Sequence, residues 1–389
     1  MQNTSIFPYF QPIISVASGK IVGYEALARQ YDNQGNVVSA GAIFSSKETP
    51  IEQLRELDRE VRWIALQKFS QLEDKSCYLT INISAAWIDY ISNVNDLPTL
   101  DMLEKLQIDR SRIIIEITEG AANIDKLKAV VKTYRQHGLK VAIDDYGSGY
   151  SQLERVIAIN PDIIKIDMGL FQLALKGGIA SDAVQLLTRF GKRQGCRIVC
   201  EGVEKMDEFL FALECGAQYM QGFLFSKAQP EFQSVETYQQ HITSLRNKFL
   251  SRKLSSEQKK VQRFQAIEQL SYKLKEALQD DFNLNELSAW GFEDQGILKF
   301  YLCNTEGTQI SSDFNFQNNS WFSDPKKREL NWSWRPYFYQ SIALYNCGID
   351  NQVTISESYR DYDSGLLCKT LSLSLDKERI LMIDIKNKD

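Results

Sequence analysis

Val141-Ala-Ile-Asp-Asp-Tyr-Gly-Ser-Gly-Tyr150 ends an apolar run on two adjacent carboxylates and a pair of glycines. Residues 141–143 read as the end of a buried strand, and Gly147 and Gly149 let the backbone turn behind it. Neighbouring side chains on a strand point to opposite faces, so Asp144 and Asp145 predict a turn at the strand end. Two like charges this close repel unless something positive lies between them, and a divalent cation supplies that charge. Standing alone, Asp-Asp before a glycine turn is ordinary turn chemistry. The rest of the chain tips the reading toward a metal.

Working outward, apolar runs predict strands at 9–13, 21–27, 78–83, 112–118, 140–144, 162–166, 197–200 and 219–225. Amphipathic stretches between them predict helices at 51–69, 124–137, 181–194 and 205–215. This alternation predicts an α/β fold, a modified TIM (β/α)8 barrel with helices outside a parallel sheet. The first two runs are joined by only Ser15–Lys20, too short for a crossover helix, so the first strand is expected to pair antiparallel.

In such a barrel the C-terminal strand ends face one mouth. Here they carry Glu25, Asn82, Glu116, Asp144 with Asp145, Lys165 with Asp167, Glu201 and Gln221. One polar residue in a strand is usually a satisfied hydrogen-bond partner, and one lysine a structural ion pair. Several buried carboxylates are different: each unpaired charge costs several kcal/mol, and one lysine does not balance them. One or two divalent ions do. The chain has two histidines, His137 before Gly138 at a helix end and His241 in a charged helix. Neither adjoins the acids, so the ligands are oxygens and the metal is hard: Mg, Mn or Ca. Two such ions suit phosphodiester hydrolysis, with Lys165 orienting water, Glu201 as ligand or base and Arg29 on phosphate or guanine.

A net charge of −5 provides no basic field for a DNA or RNA polymer or an anionic membrane. No apolar run approaches a membrane span, and the first residues do not read as a signal peptide. Seven scattered cysteines without a Cys-x-x-Cys pair predict free thiols and a cytoplasmic location.

The same residues spell a family pattern. Tyr9-Phe-Gln-Pro-Ile13, Glu25-Ala-Leu-Ala-Arg29, Asn82-Ile-Ser84, Glu116-Ile-Thr-Glu119, Asp144-Asp-Tyr-Gly-Ser-Gly-Tyr150, Lys165-Ile-Asp167, Glu201-Gly-Val-Glu204 and Gln221-Gly222 resemble the EAL-domain cyclic-di-GMP phosphodiesterases. The resemblance implies a bacterial signalling enzyme that hydrolyses cyclic di-GMP to linear pGpG with Mg or Mn, with Ca as an inhibitory occupant. It implies Glu25, Asn82, Glu116, Asp144, Asp145 and Glu201 as a two-metal site, Glu201 also as general base, and Lys165 as the residue positioning water. Gln11, Leu27, Arg29, Asp167 and Gln221 would contact substrate. Tyr146, Gly147, Ser148, Gly149 and Tyr150, braced by Glu119, would couple the metals to a homodimer. Cys200 stands beside the base, where its oxidation could inhibit. The rival expectation is a catalytically silent cyclic-di-GMP receptor.

The domain reading is 1–232 for the barrel, 233–284 for a linker helix, broken or paired, and 285–389 for a small α+β domain. In the linker, Val235, Tyr238, Ile242, Leu245 and Phe249, then Val261, Phe264, Ile267, Leu270 and Leu274, recur at three- and four-residue steps. Ser255-x-x-Gln258 marks a capping box between the two runs. Their stripe is either a dimer seam or plain packing. The last domain reads as strands at 297–303, 308–311, 353–358, 366–375 and 379–385, with a turn at Asn304-Thr-Glu-Gly307. Phe300-Tyr-Leu-Cys-Asn-Thr-Glu-Gly307 followed by Asn331-Trp-Ser-Trp-Arg-Pro-Tyr-Phe338 resembles the PAS/Cache-like domain of YkuI-type EAL proteins, which implies a sensory or dimerising module. Trp290, Trp321, Trp332 and Trp334 lie here, as core or as pocket lining; Arg335 and Tyr337 are its candidate pocket residues, with a structural ion pair the alternative for Arg335.

Overall fold

The computed structural model describes residues 6–46, 48–94, 97–118, 123–148, 153–279, 284–317, 320–349, 352–361 and 364–387. The chain divides into two compact units, Met1–Ser251 and Arg252–Asp389.

The first unit is a closed barrel. Its strands are β1 (Ile6–Ser15), β2 (Ile21–Tyr31), β3 (Val37–Ser39), β4 (Tyr78–Ile83), β5 (Ile113–Ile117), β6 (Lys140–Tyr146), β7 (Ile163–Ile166), β8 (Arg197–Cys200) and β9 (Tyr219–Met220). Around the ring the order is β1-β9-β8-β7-β6-β5-β4-β2, closed by β2 on β1, with β3 appended to β2. β1 runs antiparallel to both neighbours, as its short connection to β2 requires. The other ring pairs are parallel.

Strands buried on both faces are apolar almost throughout, which is why these runs are legible in the sequence. Ile113, Ile115, Val141, Ile143, Ile164 and Ile198 pack outward in the large core shared with the helices. Inward, Ile13, Ile114, Ala142, Ile163, Val199 and Tyr219 form a separate plug. Side chains alternate along a strand, so the next inward position lies two residues on. Those positions are Glu116, Asp144, Lys165, Glu201 and Gln221, with Gln11 in the antiparallel β1. The polar site is the layer above the plug. Gly23 allows the plug to close: a Cβ there would lie 2.4 Å from the Tyr78 ring.

Several elements differ from expectation. β9 stops at Met220, because the chain leaves the sheet where Gly222 presses on the Val203 backbone. Helices at Pro98–Lys105, Leu153–Ile159 and Met168–Ala174 are too short to show a clear helical period. One helix runs unbroken from Gln239 to Ala277, so Ser255 and Gln258 lie inside it and cap nothing. Ile242 and Leu245 belong to the barrel core, Ile267 and Leu274 to the second core.

The second unit is an antiparallel sheet of β10 (Ile297–Asn304), β11 (Asp313–Gln317), β12 (Ser320–Asp324), β13 (Thr354–Ile355), β14 (Tyr359–Arg360), β15 (Leu367–Ser374) and β16 (Arg379–Lys386). Its main order is β12-β11-β10-β16-β15-β13. The expected strand at 308–311 is reduced to isolated bridges, Cys303 with Gln309 and Thr308 with Asn331. The expected strand at 353–358 shrinks to the two residues of β13. Trp321 is core, packed on Phe292, Phe300 and Phe316, whereas Trp334 is 70% exposed.

Candidate active site

Lys165, 1% exposed, stands at the centre of the mouth. Its Nζ lies 2.7 Å from Glu201 Oε1, 2.9 Å from Asp144 Oδ1, 3.0 Å from Glu25 Oε2 and 3.2 Å from Glu116 Oε2. Asn82 Nδ2 donates to Glu25 Oε1 at 2.9 Å. Gln221 Nε2 donates to Glu25 Oε2 at 2.7 Å and to Gln11 Oε1 at 3.0 Å. Eight residues from eight strands and strand ends thus meet in one polar layer.

Two adjacent aspartates reach the same site because β6 is irregular. Its register against β7 shifts between Ile143 and Tyr146, and Asp145 takes a left-handed φ of 53°. Instead of ending at a turn after Asp144, the strand continues to Tyr146 and swings both carboxylates onto the mouth. The backbone behind it is anchored: Asp167 N–H donates to Tyr146 O, and Gly147 lies so close to Leu170 that a Cβ would sit 2.3 Å away. Glu119, Gly149 and Tyr150 fall outside the described residues.

Electrostatically the mouth is overcharged. Burial pushes Glu201 and Glu116 well above the usual carboxylate range; Lys165 opposes this and neighbouring acids add to it. Asp144 is raised for the same reasons. Asp145 is pushed up to about 7 by burial and by Asp144 beside it. Burial also acts on Glu25, yet Lys165, Asn82 and Gln221 overcome it and hold its carboxyl low. Lys165 stays protonated, since four acids outweigh its desolvation.

Oxygens from Glu25, Glu116 and Asp144 lie within 4.8 Å of one another, and so do those from Asp144, Asp145 and Glu201. Asp144 belongs to both groups. Asn82 Oδ1 is buried without a hydrogen-bond partner. An orphaned carbonyl beside converging carboxylates is the donor set of a hard divalent ion. The residues present therefore fit the metals that the sequence implies.

Beside this cluster opens a cavity of about 470 Å3, lined by Leu27, Arg29, Asn82 and Asp145 and also by Phe44, Asp58, Arg62 and Trp87. The last four are not singled out by sequence reasoning. Asp58 and Arg62, an i,i+4 pair on the helix Ile51–Ser70, resemble a solvated helix face in the sequence, but Arg62 is buried. Arg62 also donates to Thr99 Oγ1 at 3.0 Å. Among the other expected substrate contacts, Gln11 donates to Ser226 O at 3.1 Å. Asp167 spends Oδ1 capping the helix Met168–Ala174 through Leu170 N–H. Cys200 is wholly buried and burial holds its thiol protonated, which argues against oxidation there.

In the second unit, Arg335 donates to Tyr337 Oη at 2.7 Å and lies 4.2 Å above the Trp332 ring. Among the described residues it forms no salt bridge, so the expected alternative of an ion pair gives way to an aromatic setting.

Fold and site together define a TIM-type barrel whose C-terminal mouth is a carboxylate cage around one lysine. The chain belongs to the EAL-domain family: the EAL domain matches residues 1–228, and an EAL-domain associated signalling protein domain matches 234–388. It is similar along its whole length to the uncharacterized EAL-domain containing protein YkuI of Bacillus subtilis (strain 168), 26% identical over 98% of this chain and 94% of that protein. The crystal structure of YkuI in complex with substrate c-di-GMP and calcium shares the fold, with a TM-score of 0.84 at 24% identity over the same shares. The cyclic di-GMP phosphodiesterase PdeL of Escherichia coli (strain K12) is 25% identical over 59% of this chain and 64% of PdeL. The manganese/cy-diGMP complex of Klebsiella pneumoniae BlrP1 matches with a TM-score of 0.51 at 26% identity, over 60% of this chain and 59% of that one.

Proposed function

We propose that this protein hydrolyses cyclic di-GMP to linear pGpG, using magnesium or manganese at the barrel mouth. The observation that carries the reading is the convergence of Glu25, Glu116, Asp144 and Glu201 on one point, with Asp145 and the orphaned carbonyl of Asn82 alongside. The substrate class rests on the family and on relatives named for cyclic di-GMP.

Glu25, Asn82, Glu116, Asp144, Asp145 and Glu201 would hold the ions, which when bound supply charge stabilisation and acidify water. The chain's residues do the rest. Lys165 donates to the attacking water and fixes its lone pair toward phosphorus. Glu201, 2.7 Å from Lys165, accepts that water's proton as the new P–O bond forms. The bond from phosphorus to the 3′ oxygen breaks, and that oxygen takes a proton from solvent as it leaves, giving the 5′-phosphate of pGpG. Arg29 and Leu27, on the wall of the adjoining cavity, contact phosphate and base, with Gln11, Gln221 and Asp167 at the margin. Calcium fits the same oxygens and would occupy the site as an inhibitor.

The reading extends to a homodimer coupled through residues 146–150, and to a cytoplasmic protein regulated by its C-terminal unit. Seven free thiols support the compartment, and among the described residues no helix is long and apolar enough to cross a membrane. Light scattering that returned a monomer at micromolar concentration would remove the dimer. The activity is tested by incubating the full chain with cyclic di-GMP and Mn and separating products by chromatography. Stoichiometric pGpG is expected; tight binding without turnover would make the protein a receptor instead.

A further inference from the structure

We propose that the C-terminal unit carries a second binding site, for a small organic cation: a molecule with one ammonium group on an apolar or aromatic body. The site is a cavity of about 630 Å3 on one face of the β10–β16 sheet. This volume falls within the range of small-molecule pockets.

Alternation along the strands gives the sheet two unlike faces. Phe300, Leu302, Leu371, Leu373, Ile383 and Ile385 face the core with Ile267 and Leu274. On the other side, Tyr301, Cys303, Ile380 and Met382 are covered by Tyr337 and Phe338 of the helix Pro336–Asn346. Beyond that cover the same face turns polar, with Lys299, Asp313 and Asp384 on neighbouring strands. Asp313 and Asp384 are 4% and 3% exposed. A sheet that needed only to pack would place apolar side chains there, since buried carboxylates are costly.

The charges do not cancel. Lys299 lies 3.3 Å from Asp384 and 3.5 Å from Asp361, and Lys327 lies 3.8 Å from Asp313. Asp324 faces Lys326 at the rim. Four aspartates against three lysines leave one negative charge in excess around the cavity. An anion is therefore disfavoured. A metal is disfavoured too: among the described residues, both acidic groups tight enough for one ion lie in the barrel. Carboxylates spread more widely suit a larger, organic cation. Phe322, paired with Asn315 on the polar face, also lines the cavity and is 40% exposed. Aromatic faces favour an ammonium and its apolar stem together.

The test is calorimetric titration of the full chain with 2-phenylethylamine, choline and cadaverine, and with phenylacetate and calcium as counter-probes. At least one amine should bind saturably, one per chain, and phenylacetate should not. Asp384→Asn and Phe322→Ala should each weaken that binding at least tenfold, while Glu201→Gln in the barrel leaves it unchanged. Phe322 lies at the surface, so its variant remains informative if Asp384→Asn fails to fold. The proposal is overturned if folded protein binds none of the three amines, if phenylacetate or calcium takes the same site, or if amine binding survives Phe322→Ala.

Discussion

Replacing Lys165 by methionine probes the centre of the site. The substitution keeps most of the side-chain volume and removes the one positive charge within 3.2 Å of four carboxylates. Breaking a buried ion pair by removing one partner costs about 3–5 kcal/mol. For a unit of this size each kcal/mol moves Tm by about 2–4 °C, so the barrel transition should fall by about 6–20 °C in EDTA. The loss has a pH signature. Without the lysine the buried carboxylates titrate still higher than in the unfolded chain. The folded state then binds the extra protons, and stability falls as pH rises from the unfolded toward the folded value. The deficit should therefore be larger at pH 8 than at pH 5.5. Manganese should return most of it by giving the acids another cation. Scanning calorimetry at both pH values, with EDTA or Mn, reads all three effects. A variant as stable as the parent in EDTA, or indifferent to Mn, would refute the reasoning.

Glu201→Gln should keep cyclic di-GMP binding and lower kcat by about 10²–10⁴-fold, the usual range for losing a general base; steady-state kinetics and a binding titration separate the two. Asp145, pushed up to about 7, takes up a proton as pH falls through that value, and protons compete with metal for its oxygens. Mn affinity should then drop by up to about tenfold per unit below pH 7, and Asp145→Asn should flatten that slope in a titration from pH 8 to 6. Gly222→Ala should destabilise the barrel by about 2 kcal/mol or more, measured by urea unfolding, because the new Cβ would sit 2.1 Å from Val203 O.

Much of the barrel was legible because a buried parallel strand is an apolar run; β4 and β8 coincide with the expected 78–83 and 197–200. The mouth was legible because polar residues punctuate those runs two positions beyond the plug. The sharing of one site by Asp144 and Asp145 was not, since it depends on a register shift that a single strand does not encode. Asp58 and Arg62 were hidden by their i,i+4 spacing, which on a helix usually means a solvated pair. In the second unit, Asp313-Phe-Asn-Phe-Gln317 does alternate polar and aromatic residues, the available signal for β11. The charged cavity was not legible, because its aspartates are separated by up to 71 positions of chain.

The most direct measurement is an anomalous difference map at the manganese edge from a crystal of the full chain grown with Mn. Peaks should lie about 2–2.5 Å from oxygens of Glu25, Asn82, Glu116 and Asp144, with Asp144 also reaching a second peak near Asp145 and Glu201. A fully occupied ion elsewhere, with no peak at the mouth and Lys165 still the only cation among those carboxylates, would contradict the account.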